Sequence, residues 1–161
     1  MRLLAASIIT PLFFSIVTPA FAIETPRIVP RSQEIQKPVD EVYAGLKKYF
    51  SDSATSHFQL VSADEQTHTL VARQSPIGEE VWHHWAYCQT GPVQMIYKYE
   101  DGTATVTVKL EKSPRHSTFA SVSADFQGTY DLGANQNKVD CTSKFVLEDN
   151  ILAAAGAVPG K

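Results

Sequence analysis

The stretch VQMIYKYEDGTATVTVKLE, residues 93–111, carries the strongest structural signal in this sequence. Two strand-like runs lie on either side of the dipeptide Asp101-Gly102. Both central residues of a type I′ turn need positive φ, and Asp-Gly tolerates this conformation at low cost. We therefore predict a tight β-hairpin whose turn is Asp101-Gly102.

The second of these runs alternates between apolar and polar residues. Successive side chains of a strand point to opposite faces, so this pattern predicts one core face and one wet face. The predicted core set is Ala104, Val106, Val108 and Leu110, and the predicted wet set is Thr103, Thr105, Thr107 and Lys109. STFASVSADF, residues 117–126, repeats the alternation after a polar reversal at residues 112–116. Two adjacent antiparallel pairs of this kind predict a meander.

Upstream of the meander, the pattern changes from strands to a helix. In PVDEVYAGLKKYF, residues 38–50, apolar side chains recur at steps of three and four, which predicts an amphipathic helix. Acidic residues in its first turn and lysines in its last suit the helix dipole. Residues 27–37 predict a strand before this helix, and residues 57–62 and 67–74 predict two strands after it.

The segment KVDCTSKFVLEDNILAAAGA, residues 138–157, predicts a closing helix capped by Thr142 or Ser143. It follows a Gly- and Asn-rich stretch, residues 128–137, that predicts a loop. The order is strand, helix, about six antiparallel strands, helix. We predict an α+β fold, with a curved antiparallel sheet of about six to seven strands packed against an N-terminal and a C-terminal helix.

The segment PRSQEIQKPVDEVYAGLKKYF, residues 30–50, resembles the start of helix-grip domains of the START and polyketide-cyclase type. It is also similar to the grip found in a lipoprotein subunit of the outer-membrane assembly machinery. The resemblance covers residues 27–50 in sequence and otherwise concerns the order of elements. The resemblance implies a sheet that wraps around a C-terminal helix, and it concerns the fold rather than the function.

The N-terminus predicts export. Arg2 precedes the apolar run of residues 3–17, and Ala20 and Ala22 fit the A-x-A cleavage rule. The run is shorter than the roughly 20 apolar residues of a spanning helix, and no cysteine near the cut offers a lipid-anchor thiol. We expect a signal peptide of residues 1–22 and a single globular domain of residues 23–161, located in the bacterial periplasm or secreted.

Charge and cysteine content argue against some classes of function. The full chain has 14 basic and 17 acidic side chains without a basic stripe, which argues against nucleic acid as a partner. Cys88 and Cys141 are the two cysteines, and an exported chain favours a disulfide between them. A redox or nucleophilic thiol is the alternative, but the chain has no C-x-x-C spacing and no basic cluster beside either cysteine.

The aromatic-rich stretch EVWHHWAYCQTGP, residues 80–92, holds the candidate site residues. We expect residues 81–88 to form a strand, with His83, Trp85 and Tyr87 on one face and Trp82, His84 and Cys88 on the other. Core and cross-strand packing is the favoured interpretation of these rings. The alternative is a binding groove contacted by His83, Trp85 and Tyr87. Because the two histidines point apart, we predict no metal site, and no motif assigns a catalytic residue or a cofactor.

Three functions stay open. The preferred hypothesis is an exported, non-catalytic binding protein of the bacterial cell envelope. It would hold an apolar small molecule or an envelope protein, either in a sheet–helix groove or on an exposed sheet face. A small periplasmic inhibitor or immunity-type protein is the first alternative. A hydrolase or cyclase that uses His83 or His84 as its base is the second. Oligomeric state is not predicted.

Overall fold

The structure, a computed structural model, describes residues 28–88, 98–131 and 136–156. Within these ranges the fold is α+β, with an open antiparallel sheet of seven strands and with four helices. This confirms the predicted fold class. The predicted signal peptide and the first part of the predicted hairpin, residues 93–97, lie outside the described ranges. No helix in the described part of the chain is long and apolar enough to cross a membrane.

The elements follow one another in an order close to the predicted one. They are β1 (Arg31–Ile35), α1 (Val39–Ser51), α2 (Ser53–Ser56), β2 (Gln59–Asp64), β3 (Thr69–Gln74), α3 (Glu79–Trp85), β4 (Ala86–Cys88), β5 (Lys98–Lys112), β6 (Thr118–Asp131), β7 (Gln136–Ser143) and α4 (Val146–Ala154). The sheet order is β2-β3-β5-β6-β7-β4, and β1 also pairs with β6. Strands β1 and β7 thus share one edge of β6, because β1 pairs with residues 118–122 and β7 with residues 126–131.

The first helix agrees with its prediction. It begins at Val39, directly after Pro38, whose extended backbone precedes the first turn. The side chains at its three- and four-residue spacings are buried, and they are Val39, Val42, Tyr43, Leu46 and Phe50. Acidic residues in the first turn and Lys48 in the last turn match the helix dipole. The helix therefore forms because one apolar stripe can be buried while both ends are electrostatically matched.

The alternation along β5 and β6 separates the two faces of the sheet as predicted. The core-facing side chains are at most 4% exposed, and they are Ala104, Val106, Val108, Leu110, Ala120, Val122, Ala124 and Phe126. The reversal between the two strands lies at residues 113–117. The opposite side chains of β5, such as Thr105 and Lys109, are half-buried or exposed. We call this opposite side of the sheet the outer face.

The predicted hairpin turn at Asp101-Gly102 is wrong. Strand β5 runs straight through both residues, with a register irregularity between Tyr99 and Asp101, and Gly102 pairs with Gly128 of β6. The indole of Trp82 lies against this pair: a Cβ on Gly102 would come within 2.6 Å of Trp82 Cζ3, and one on Gly128 within 3.0 Å of Cζ2. Glycine is therefore needed here for the close approach of a ring, not for a turn.

The predicted strand over residues 81–88 is also wrong for most of its length. Glu79–Trp85 is a helix, and strand structure begins at Ala86. Glu79 and Glu80 lie in the first turn of this helix, where negative charge is favourable. Trp82 is fully buried, so a single large side chain anchors the helix to the sheet.

The disulfide between Cys88 and Cys141 is confirmed, with Cα atoms 4.3 Å apart. The two cysteines face each other directly in the β4–β7 ladder. Cys141 lies in β7, as do Thr142 and Ser143, so the predicted cap of the closing helix is wrong. That helix begins only at Val146, and the predicted loop of residues 128–137 is in part strand, because β6 extends to Asp131 and β7 begins at Gln136. The long β6 offers a pairing edge that local helix signals do not reveal.

Candidate functional site

The structure does not bring the three predicted contact residues to one face. His83 lies on the exposed side of α3, where its Nε2 is 3.6 Å from Glu79 Oε1. Trp85, at the end of α3, is half-buried and stacks on Phe58 with ring centroids 6.3 Å apart. Tyr87 is 53% exposed and lies in β4 on the outer face, opposite Thr142 of β7. Tyr87 is thus the member of the set that is exposed on the outer face.

An aromatic cluster fixes α3 on the core side of the sheet. The Trp82 ring stacks on Tyr99 at 5.6 Å and meets Phe126 edge-on at 5.7 Å. Its Nε1–H donates a hydrogen bond to the Tyr130 hydroxyl at 3.3 Å, and the Tyr99 hydroxyl donates to the Ile77 carbonyl. Burial, and after it the nearby charge of Asp101, raises the pKa of Tyr99 far above its usual value. Tyr99 is therefore a neutral hydrogen-bond donor at any physiological pH.

The other end of α3 is held by the segment that precedes α4. Lys144 Nζ donates to the His83 carbonyl, and the Lys144 N–H donates to the Trp85 carbonyl at 2.9 Å. A cation at a helix C-terminus is favourable because unpaired carbonyls lie there. The disulfide of Cys88 follows three residues later. Helix α3 and strand β4 are thus held by Lys144 at the helix end and by the disulfide at Cys88.

The space between the sheet and the helices is filled with side chains. Buried residues from α1, α3, α4 and the core side of the sheet form one hydrophobic cluster. Trp82, Phe50 and Phe126 are among its fully buried large side chains. In the described part of the chain, the sheet and the helices therefore share one continuous apolar core.

The outer face carries mainly hydroxyl side chains and two small cavities. The hydroxyl residues of β3, β5 and β6 on this face are Thr69, Thr103, Thr105, Thr107, Ser121, Ser123 and Thr129. One cavity has a volume of about 160 Å³ and is lined by Ile28, Pro30, Thr107, Lys109, Ser121 and Ser123; we call it the Lys109 cavity. The second has about 50 Å³ and includes Ile28, Val29, Asp125 and Thr142; we call it the Asp125 cavity.

Both cavities lie where the chain enters the sheet. Residues 28–30 run beside the part of β6, residues 123–125, that neither β1 nor β7 pairs with. Ile28 lines both cavities, and Ile28 and Val29 are 52% and 53% exposed. Through Thr142, which lines the Asp125 cavity and faces Tyr87, this exposed apolar segment continues to Tyr87. The outer face thus combines apolar contact area with polar groups that can fix an orientation.

A buried carboxyl group lies on the core side of the sheet, near residues 123–125 of β6, with which neither β1 nor β7 pairs. Glu148, in the first turn of α4, is 0% exposed. Its Oε2 accepts a hydrogen bond from the Ser143 hydroxyl at 2.8 Å, and its Oε1 has no hydrogen-bond partner among the described residues. Burial raises the pKa of Glu148, and the Ser143 hydrogen bond opposes this rise in part. Compared with the unfolded chain, the folded protein therefore shifts this side chain towards its protonated form.

We expect Glu148→Gln to stabilise the protein at alkaline pH. A raised pKa in the folded state contributes stability at low pH, and this contribution is lost as the pH rises above the pKa of the unfolded chain and through that of the folded protein. At pH 8 the variant should exceed the wild type in free energy of unfolding by about 1–3 kcal/mol. The difference should shrink towards zero at pH 4, as measured by urea unfolding at each pH.

The exposed neighbour Asp149 provides the control for this prediction. Asp149 pairs with Arg31 at 2.9 Å, and both side chains are about half exposed, so Asp149→Asn should change stability by less than about 1 kcal/mol. An advantage of Glu148→Gln that is equal at pH 4 and pH 8 would contradict the role of burial.

No group of three or more His, Cys, Asp or Glu side chains in residues 28–88, 98–131 and 136–156 is placed to hold a metal ion. His83 and His84 are both exposed on α3, and Glu79 is the carboxylate that contacts His83.

Comparison with known proteins does not assign a family. No protein-family model matches the chain, and no curated protein matches it. A crystal structure of a DUF4468 family protein from Bacteroides ovatus is similar to this chain, with a TM-score of 0.35 and 12% sequence identity. The similar region covers 69% of this chain and 60% of that chain, so it spans less than two thirds of the length of the DUF4468 protein.

Sequence reasoning missed the outer-face cavities although part of their signal was visible. The alternation of β5 placed Thr107 and Lys109 on the wet face, and that of β6 implied the same for Ser121 and Ser123. Their convergence depends on the register of β5 against β6, in which Lys109 faces Ser121 and Thr107 faces Ser123. Register over such a long pair is not readable from either strand alone.

Proposed function

We propose that this protein is an exported, non-catalytic binding module of the bacterial cell envelope that holds a protein partner on its outer face. The observation that carries the proposal is the contrast between the two sides of the sheet. Among the described residues, the helical side buries a continuous apolar core. The outer side exposes Tyr87, Ile28 and Val29 around polar cavities.

Export and a helix-grip relationship belong to the same proposal. The signal-peptide pattern of residues 1–22 supports export, and the Cys88–Cys141 disulfide is compatible with an oxidising compartment. The order of β1, α1, the meander and α4 supports the helix-grip relationship, as do the buried residues that α1 and α4 contribute to one core.

The outer-face interface is tested by site-specific photo-crosslinking in cells of the source organism. A photo-reactive amino acid at position 87 should give an adduct of one defined mass, and the same amino acid at Lys48, exposed on α1, should not. The adduct partner is then purified and its affinity measured. Exposed tyrosines are frequent interface hot spots, so Tyr87→Ala should weaken binding by about 2 kcal/mol, roughly thirtyfold.

Two results would overturn this proposal. One is equal crosslinking from positions 87 and 48, or an unchanged affinity in Tyr87→Ala. The other is one equivalent of a lipid that co-purifies with the protein and is detected by native mass spectrometry, because this would favour the small-molecule alternative.

A further inference from the structure

The Lys109 cavity has the composition of a site for one anionic group. Its floor consists of two adjacent cross-strand pairs, Lys109 with Ser121 and Thr107 with Ser123. Such pairs lie about 5 Å apart across the strands, and alternate residues lie about 6.6 Å apart along them. One ammonium and three hydroxyl groups therefore surround a space about as wide as a carboxylate and its hydrogen bonds.

Most of these donor groups make no other polar interaction with the described residues. Within residues 28–88, 98–131 and 136–156, Lys109 makes no ion pair, and the hydroxyls of Thr107 and Ser123 make no side-chain hydrogen bond. Ser121 Oγ accepts a hydrogen bond from Ser32 Oγ at 3.2 Å and keeps its own proton free to donate. No carboxylate lines this cavity, because Asp125 belongs to the neighbouring one.

The size of the cavity limits its occupant. Pockets for whole drug-sized ligands have volumes of roughly 300–1,000 Å³, about two to six times that of this cavity. One polar group and part of an adjoining side chain are what the space can hold. The wall includes Ile28 and Pro30, which can cover apolar atoms. A chain terminus, whose carboxylate lies next to the last side chain, presents one polar group beside apolar atoms.

We propose that the Lys109 cavity binds the free α-carboxylate at the carboxyl terminus of the protein partner. Lys109 provides the countercharge, the three hydroxyls donate hydrogen bonds to the two carboxylate oxygens, and Ile28 and Pro30 contact the last side chain. A charge-assisted set of hydrogen bonds of this kind is stronger than a neutral one. This inference rests on the proposed protein-binding function and names the group that the outer face recognises.

The test uses small probes and needs no identified partner. N-acetyl-leucine is titrated into the isotope-labelled mature protein, and amide chemical shifts are followed by NMR. We expect saturable shifts at Thr107, Lys109, Ser121 and Ser123. Lys109→Gln should weaken this binding at least tenfold. Asp125→Asn, which removes a charge from the adjacent cavity, should leave it unchanged or strengthen it.

The competing sources of an anionic group are separate arms of the same titration. N-acetyl-leucinamide lacks the charge and should produce no saturable shift. Inorganic phosphate and N-acetyl-glutamic acid α-amide, whose carboxylate is on the side chain, should bind at least tenfold more weakly than N-acetyl-leucine. Equal binding of the uncharged amide, or unchanged binding in Lys109→Gln, overturns the carboxylate site. Equal binding of phosphate or of the side-chain acid overturns its assignment to a chain terminus. The proposed function is tested separately, by crosslinking from position 87 and by the affinity of Tyr87→Ala. Either failure of the carboxylate site can therefore be distinguished from failure of the proposed function.

Discussion

Truncation of Trp82 to alanine is expected to lower the free energy of unfolding by about 3–5 kcal/mol. The indole is fully buried, and together with Tyr99 and Tyr130 it fills the space above Gly102 and Gly128. Its loss also leaves the Tyr130 hydroxyl without the hydrogen bond from Nε1. Urea unfolding followed by circular dichroism measures the effect. Trp85→Ala is the matched control, and because Trp85 is only partly buried its cost should be clearly smaller.

The glycine pair allows a stricter test of the same contact. Gly102→Ala alone should destabilise by about 1–3 kcal/mol, because its methyl group meets the ring of Trp82. In the Trp82→Ala background the contact with the ring is gone and only the contact with the Tyr99 hydroxyl remains, so the penalty should become smaller. A double-mutant cycle isolates this coupling. If the two penalties simply add, Gly102 and Trp82 are not coupled, and the indole is not the reason why β5 has a glycine at position 102.

The second large effect is expected from the disulfide. Replacing both Cys88 and Cys141 by alanine should lower the free energy of unfolding by about 4 kcal/mol, because the bond closes a loop with a sequence separation of 53 residues. Guanidinium unfolding of the double variant and of the oxidised wild type provides the measurement. Fully reduced wild type should behave like the double variant.

Thiol titration of the protein purified without reductant completes this test. The unfolded, unreduced protein should react with no thiol reagent, and two thiols should appear after reduction. Two reactive thiols before reduction, or equal stability of the oxidised and reduced forms, would contradict a structural role for the bond.

The parts of the fold that could be predicted are those with long, repeated local patterns. The helix of residues 39–51 shows several apolar spacings, and β5 and β6 alternate over many residues. Each pattern is long enough to distinguish a period of 3.6 from a period of two. The disulfide could be predicted from the number of cysteines together with the predicted signal peptide, without any knowledge of the sheet.

The parts that could not be predicted depend on contacts distant in sequence. Asp101-Gly102 is a strong local turn signal, but the residue that needs the glycine is Trp82, twenty positions earlier. Helix α3 has seven residues, too few to establish a helical period, and its fixed position comes from the sheet below it. Residues 138–143 become a strand because β6 offers an edge to pair with. The Lys109 cavity could not be foreseen for the same reason, since it follows from register.

The link between β4 and β7 has one more consequence, for proteolysis. Residues 88–141, which include all of β5 and β6, form a covalent ring closed by the sulfur atoms. Hydrolysis of any one peptide bond inside this ring opens it without separating the two ends. A cut in residues 75–78, between β3 and α3, instead divides the chain into two separate polypeptides. A protein nicked within the ring therefore keeps its mass, apart from the one water added by hydrolysis, until a reductant is supplied.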